Sequence, residues 1–168
     1  MSLPYDQVDW SINYRKHPDQ YIVSRGQFGV LKYEPYKSEI LQYWKYADKE
    51  SAKQSKETIL GMFYEYLSDD DFVGADMSKK FLHMGFTRAM RYAKYPAGKK
   101  YNDDGSEKQA HAPDTTGWWA DASKRAAALQ FKPAWDEARN NEKYQRLKEL
   151  HKSGELYDQH TLGEWSDD

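Results

Sequence analysis

Only 25 of the 168 residues are Val, Ile, Leu or Phe, which leaves a thin aliphatic core. That share lies below the roughly 20% at which a strongly charged chain stays disordered. The charge condition fails, because Lys and Arg nearly balance Asp and Glu and the net charge is −2. Fourteen Tyr and six Trp supply the missing apolar area, and each carries a polar tip that needs a partner once buried. The expectation is one ordered domain, which the length also fits.

Cysteine is absent, which excludes disulfides, thiolate nucleophiles and Cys-ligated zinc. No apolar run approaches the roughly 20 residues of a membrane span. The start, MSLPYDQVDW, has neither the basic opening nor the apolar stretch of a signal peptide. These features point to a cytoplasmic protein with no membrane partner.

The predicted fold is mainly α: a single helical domain of about five helices with a small N-terminal β-hairpin, spanning residues 1–152. Pro4, Pro18 and several Asp and Asn make the first 20 residues an irregular arm. Tyr21-Ile22-Val23 and Val30-Leu31-Lys32-Tyr33 flank a glycine-containing turn, which places the hairpin within residues 1–34. Helices occupy residues 35–95: one from Tyr36 to about Trp44, opened by Pro35; one capped by Asp48 and running to about Leu67; and one from Phe72 to Lys94, its start favoured by Asp69-Asp70-Asp71. Residues 96–117, rich in Gly, Asp, Lys and Pro, predict a mobile loop. C-terminal helices follow in 118–152, broken or kinked at Pro133, the last capped by Asn141 with Tyr144, Leu147 and His151 on one face. Residues 153–168 form an acidic tail expected to be poorly ordered.

Charge is unevenly placed. Residues 77–101 carry seven Lys or Arg and no acid, whereas 153–168 carry five acids and no Lys or Arg. On a wheel at about 100° per residue, Lys79, Lys80, His83, Arg91 and Lys94 share one arc, opposite Met77, Phe81, Met84 and Gly85, and the chain continues into Lys99 and Lys100. Such an arc is either a solvated face balanced by acids from elsewhere or a surface for an anion. Arg88 falls on the apolar side, between Met77, Phe81 and Tyr92. Arg is rarely buried unless paired, so it forms an internal ion pair, with Glu39 or Asp76, or it lines a cleft.

Other signals are weak. Gly26-Gln27-Phe28-Gly29 lacks the companions of a kinase phosphate loop and reads as a tight turn. The five His show no metal-ligand spacing, so no metal and no cofactor is predicted. Serine has no nucleophile setting, and Trp118-Trp119 reads as core before it reads as a base-stacking platform.

Several strings carry a resemblance: Glu34-Pro35-Tyr36-Lys37-Ser38-Glu39-Ile40, Trp44, Asp71-Phe72-Val73-Gly74-Ala75-Asp76-Met77, Lys80-Phe81-Leu82, Met84-Gly85-Phe86-Thr87-Arg88, Arg91-Tyr92-Ala93 and Gly98-Lys99-Lys100-Tyr101. Over about residues 10–150 the chain resembles a domain of unknown function found in bacteria and in tailed phages, including phages of cyanobacteria. The resemblance implies such an origin, and the host cytoplasm if phage-encoded, but no activity. Lys37, Glu39, Asp76, Lys80, Arg88 and Arg91 match the family pattern. Ser24, Gln27 and Phe28 depart from it in the hairpin, as do Lys79 and His83, where the family tends to have Arg and Gln.

The reading is a small binding protein, not an enzyme, whose cationic helix holds an anionic partner, nucleic acid first. The contacts would come from Lys79, Lys80, His83, Arg88, Arg91, Lys94, Lys99 and Lys100. Two alternatives stand beside it. One is an interaction module for a host or virion protein. The other is an enzyme acting on a phosphorylated small molecule in a polar cleft of Lys37, Glu39, Asp76 and Arg88.

Overall fold

Side-chain caps set where the four long helices begin. In the computed structural model, which describes residues 7–24 and 26–158, Asp48 accepts from the Ser51 amide and starts a helix at Lys49. Asp71 accepts from the Gly74 amide before Phe72, and Asn141 from the Tyr144 amide before Glu142. Each carboxylate or amide oxygen satisfies a backbone donor that the first helical turn leaves open. The helices are α1 (Tyr36–Leu41), α2 (Lys49–Ser68), α3 (Phe72–Lys94), α4 (Ala122–Arg139) and α5 (Glu142–Ser153).

α3 is the axis of the molecule. It packs against α2 and α4 along its length, with α1 and α5 flanking it. Two glycines permit the close approach. A Cβ at Gly74 would lie 2.4 Å from the Tyr66 ring of α2, and one at Gly85 would lie 2.6 Å from the Phe131 ring of α4. The remaining side of α3 is covered by the N-terminal segment, whose Tyr14, Tyr21, Val30 and Tyr33 are all buried. Tyr33 is its hub, with ring centroids 4.7 Å from Tyr14, 4.6 Å from Tyr21 and 4.9 Å from Trp10. The aromatic residues thus do the packing that the scarce aliphatic ones cannot.

The expected β-hairpin is absent: the described residues contain no strand, only an isolated bridge between Tyr101 and Glu107. Residues 26–33 wind through successive turns instead, with Val30 N donating to Gln27 O and Lys32 N and Tyr33 N donating to Gly29 O. Gly26 and Gly29 supply the positive φ this requires. Val30 and Tyr33, three residues apart, are buried while Leu31 is exposed, which is turn spacing and not the alternation of a strand.

Three further expectations shift. α4 begins at Ala122, capped by Asp121, and not near Trp118, which is exposed. Pro133 sits on the exposed side of α4 and does not end it. Beyond Ser153 the chain turns through Gly154 (φ 83°) into a short 3-10 turn that buries Leu156 and Tyr157, so residues 154–158 belong to the folded body. The predictions for residues 1–6, Arg25 and the tail from 159 onward lie outside the described residues. No helix among the described residues is long and apolar enough to cross a membrane.

Candidate anion-binding site

The first half of α3 is buried nearly all round, from Phe72 through Ser78 and again at Lys80 to Leu82. The wheel placed Lys80 among surface cations, yet its side chain has no exposure. Its ammonium lies 3.7 Å from Asp76 Oδ2, donates to the Phe28 carbonyl at 3.1 Å and to Ser24 Oγ at 3.4 Å, and faces the rings of Tyr21 and Tyr33. The polar arc here faces the N-terminal segment and not water, which is what a one-helix projection cannot anticipate.

Asp76 is the centre of this network. It pairs also with Lys79 (3.5 Å to Oδ1) and accepts from the hydroxyls of Tyr21 and Tyr144. Burial pushes its carboxyl up, but Lys80, Lys79 and the two hydroxyls outweigh that and hold it at about 2. Two ammonium groups share this one carboxylate. Burial is accordingly the larger influence on Lys80, and its ammonium is pushed down despite Asp76. Next to this cluster His151 joins the Tyr21 carbonyl (2.7 Å) to the Tyr157 hydroxyl (2.6 Å). The carbonyl can only accept, so Nε2 carries the proton and Nδ1 accepts from Tyr157.

Arg88, expected either in an internal ion pair with Glu39 or Asp76 or lining a cleft, is exposed and pairs with neither carboxylate. In the last turns of α3 the covered side is that of Gly85, Ala89 and Ala93, about 100° round the helix from Arg88, with Gly85 set against Phe131 of α4. Arg88 lines a shallow hollow of about 250 Å³ with Gln27, Lys32 and Met84. The proposed polar cleft is not assembled. Glu39 forms a two-pronged pair with Arg15 (2.6 and 2.7 Å) and accepts from Tyr66, Lys37 pairs with Glu34 at 3.6 Å, and Asp76 belongs to the interior. Of the remaining cations, Lys100 pairs with Glu107 at 3.5 Å, and Arg91 Nε donates to the Gly98 carbonyl at 2.8 Å. Arg88, Arg91, Lys94 and Lys99 have no carboxylate within 4.0 Å among the described residues.

Lys79 and His83 open onto a different place, a cavity of about 330 Å³ between α3, α4 and α5. Trp135 and Arg139 from α4 and Tyr144, Gln145 and Lys148 from α5 also line it, with Asn140 between the two helices and Gly26 of the N-terminal segment. The His83 and Trp135 rings stack, centroids 3.9 Å apart and 4° from parallel, and the Arg139 guanidinium lies 4.3 Å from the Trp135 centroid. Arg139 Nη2 pairs with Asp136 at 2.6 Å. Its Nε is buried with no hydrogen-bond partner among the described residues, at a cost of about 1–3 kcal/mol unless an acceptor is supplied. Burial first, then the charges of Lys79, Arg139 and Lys132, hold the His83 imidazole below its usual value, so it is neutral where the reading of α3 counted it as a cation. Sequence reasoning missed Arg139 and Lys148 because they lie on two other helices, and no linear spacing joins them to Lys79.

Neither a curated protein nor a solved structure matches the chain. Residues 4–154 match the family described as Domain of unknown function (DUF4385). That span takes in all five helices, the Asp76 network and the cavity, and the chain belongs to this family.

Proposed function

We propose that the protein is a non-enzymatic binding module for an anionic partner, nucleic acid first, held by Arg88, Arg91, Lys94 and Lys99. One observation carries the reading: these four basic residues follow one another along the end of α3 and the turn after it, and no carboxylate of the described chain neutralises them. Lys80 is withdrawn from the proposed contact set by its burial and Lys100 by its pairing with Glu107. Lys and Arg in such a run contact phosphate oxygens and release counterions, a mechanism that works locally whatever the net charge of the whole chain.

Four phosphate contacts give duplex DNA affinity a log–log salt slope of about −3.6, or about a 150-fold loss between 50 and 200 mM salt. Fluorescence anisotropy with labelled 20-mer DNA and RNA measures this directly. Arg91→Glu combined with Lys94→Glu lowers affinity across all sequences and flattens the slope by about 2. Binding that ignores salt, or survives the double reversal unchanged, overturns the reading.

A further inference from the structure

We propose that the cavity between α3, α4 and α5 is a second anion site, which takes a small phosphomonoester with its phosphate between Lys79, Arg139 and Lys148. Three observations meet there. The first is charge. Lys79, Lys132, Arg139 and Lys148 stand around the cavity and its His83–Trp135 wall, whereas the carboxylates paired with them are Asp76 and Asp136. Lys148 has no carboxylate within 4.0 Å among the described residues.

The second is rigidity. Lys79 is fixed between Asp76 and the Tyr144 ring, 5.4 Å from its centroid. Arg139 is fixed on Trp135 and by Asp136, and its chain end is tied to α5 by Gln145, whose amide donates to the Arg139 carbonyl. Cations held by packing lose little freedom when an anion arrives, which is what separates a site from a solvated charge cluster. The third is the unserved Nε–H of Arg139, a donor left over in a guanidinium suited to oxyanions.

The size and lining narrow the ligand. A cavity of about 330 Å³ is at the small end of ligand sites, and Asn140 and Gln145 beside the cations offer hydrogen bonds to a hydroxyl-bearing body. Trp135 is already occupied by His83 and Arg139, so a base is not expected to stack there. This favours a sugar phosphate over a nucleotide.

His83 reports occupancy without any mutation. Burial first, and then the cations around it, hold its imidazole below its usual value, so a bound dianion that offsets those cations raises its pKa, visible in the side-chain ¹H–¹⁵N spectrum of the full chain. Inorganic phosphate, glucose 6-phosphate and AMP are titrated in turn, with glucose as the uncharged control. The expected order is glucose 6-phosphate tighter than phosphate, AMP no tighter than phosphate, and no response to glucose. Arg139→Gln and Lys148→Gln each weaken glucose 6-phosphate about tenfold or more, whereas Arg91→Glu leaves it unchanged and so separates this site from the proposed DNA-binding face. No movement of His83 resonances with any phosphate up to about 10 mM overturns the proposal. So does equal binding by the pocket variants, and so does AMP binding far more tightly than glucose 6-phosphate.

Discussion

Replacing Asp76 with Asn keeps the shape of the side chain and removes the one carboxylate that serves two buried or nearly buried ammonium groups. Lys79 retains 16% side-chain exposure and can turn to water, but Lys80 has none. Lys80 then has two options: to stay charged without a counterion, or to lose its proton on folding. The second sets a ceiling, since neutralising a lysine of ordinary pKa 10.5 at pH 7 costs about 5 kcal/mol at 1.36 kcal/mol per unit. Breaking a buried pair by deleting one partner costs about 3–5 kcal/mol by comparison, so the two estimates agree. Urea unfolding followed by tryptophan fluorescence measures the loss. The variant also acquires a pH signature. If Lys80 gives up its proton, the folded state binds one proton fewer than the unfolded state below pH 10.5, and stability climbs relative to wild type by up to about 1.4 kcal/mol per unit from pH 7 to 9. Adding Lys80→Met to Asp76→Asn removes the stranded charge and recovers most of the loss. A loss under about 1 kcal/mol at pH 7 refutes the placement of Lys80 in the interior; a large loss that is the same at pH 9 means that Lys80 stays charged in the variant.

Gly85→Ala and Gly61→Ala test the helix packing with opposite signs. The new methyl at 85 meets the buried Phe131 ring and costs about 1–3 kcal/mol of overpacking. The one at 61 meets nothing within 4 Å and gains up to about 1 kcal/mol of helix propensity; equal effects in urea unfolding would contradict the α3–α4 contact. His83 and His151 are both held below 6.5, chiefly by burial. Their contribution is complete above about pH 6.5 and drains as pH falls toward their folded values, by at most about 1.4 kcal/mol per unit for each group. The melting temperature therefore drops between pH 7.5 and 5.5, and His151→Gln makes that drop shallower; an unchanged slope counts against a buried neutral His151.

The helix boundaries were legible because they are written in local chemistry. Asp48, Asp71 and Asn141 cap the helices expected of them, α3 runs over the residues its pattern marks, and Tyr144, Leu147 and His151 share the buried face of α5. What the pattern could not carry was the number of neighbours a helix has. Reading α3 as half-solvated put Lys80 on the open side and Arg88 on the covered side, and both are reversed because the N-terminal segment closes over Lys80 while Arg88 lies off the covered side of Gly85, Ala89 and Ala93. The hairpin failed for a related reason. Val30 and Tyr33 have strand-forming side chains, but the positive φ at Gly26 and Gly29 curls the segment so that it lays aromatic rings on α3 instead of pairing with a second strand. The cavity was invisible from the sequence, since its Lys79, Arg139 and Lys148 come from three helices.

The same two-to-one ratio at Asp76 sets apart the roles of its lysines. If Lys79 is removed as Lys79→Gln, Asp76 still has Lys80 at 3.7 Å and both tyrosine hydroxyls, so no buried charge is stranded. Lys79 is also one of the charges that push the Lys80 ammonium down, and its loss relieves that repulsion. The expected change in unfolding free energy is therefore within about 1 kcal/mol, against the 3–5 kcal/mol of Asp76→Asn. Lys80→Met leaves the ratio at one to one as well, yet it also deletes the donor to the Phe28 carbonyl and the cation facing Tyr21 and Tyr33, so it is the costlier of the two. A lysine that the core does not need, held rigidly at the edge of a cavity beside Arg139 and Lys148, is explained by what enters the cavity. Lys79→Gln should keep the urea midpoint and lose about tenfold in glucose 6-phosphate affinity; a variant that unfolds early and binds as before would make Lys79 a structural residue and leave the cavity without its floor.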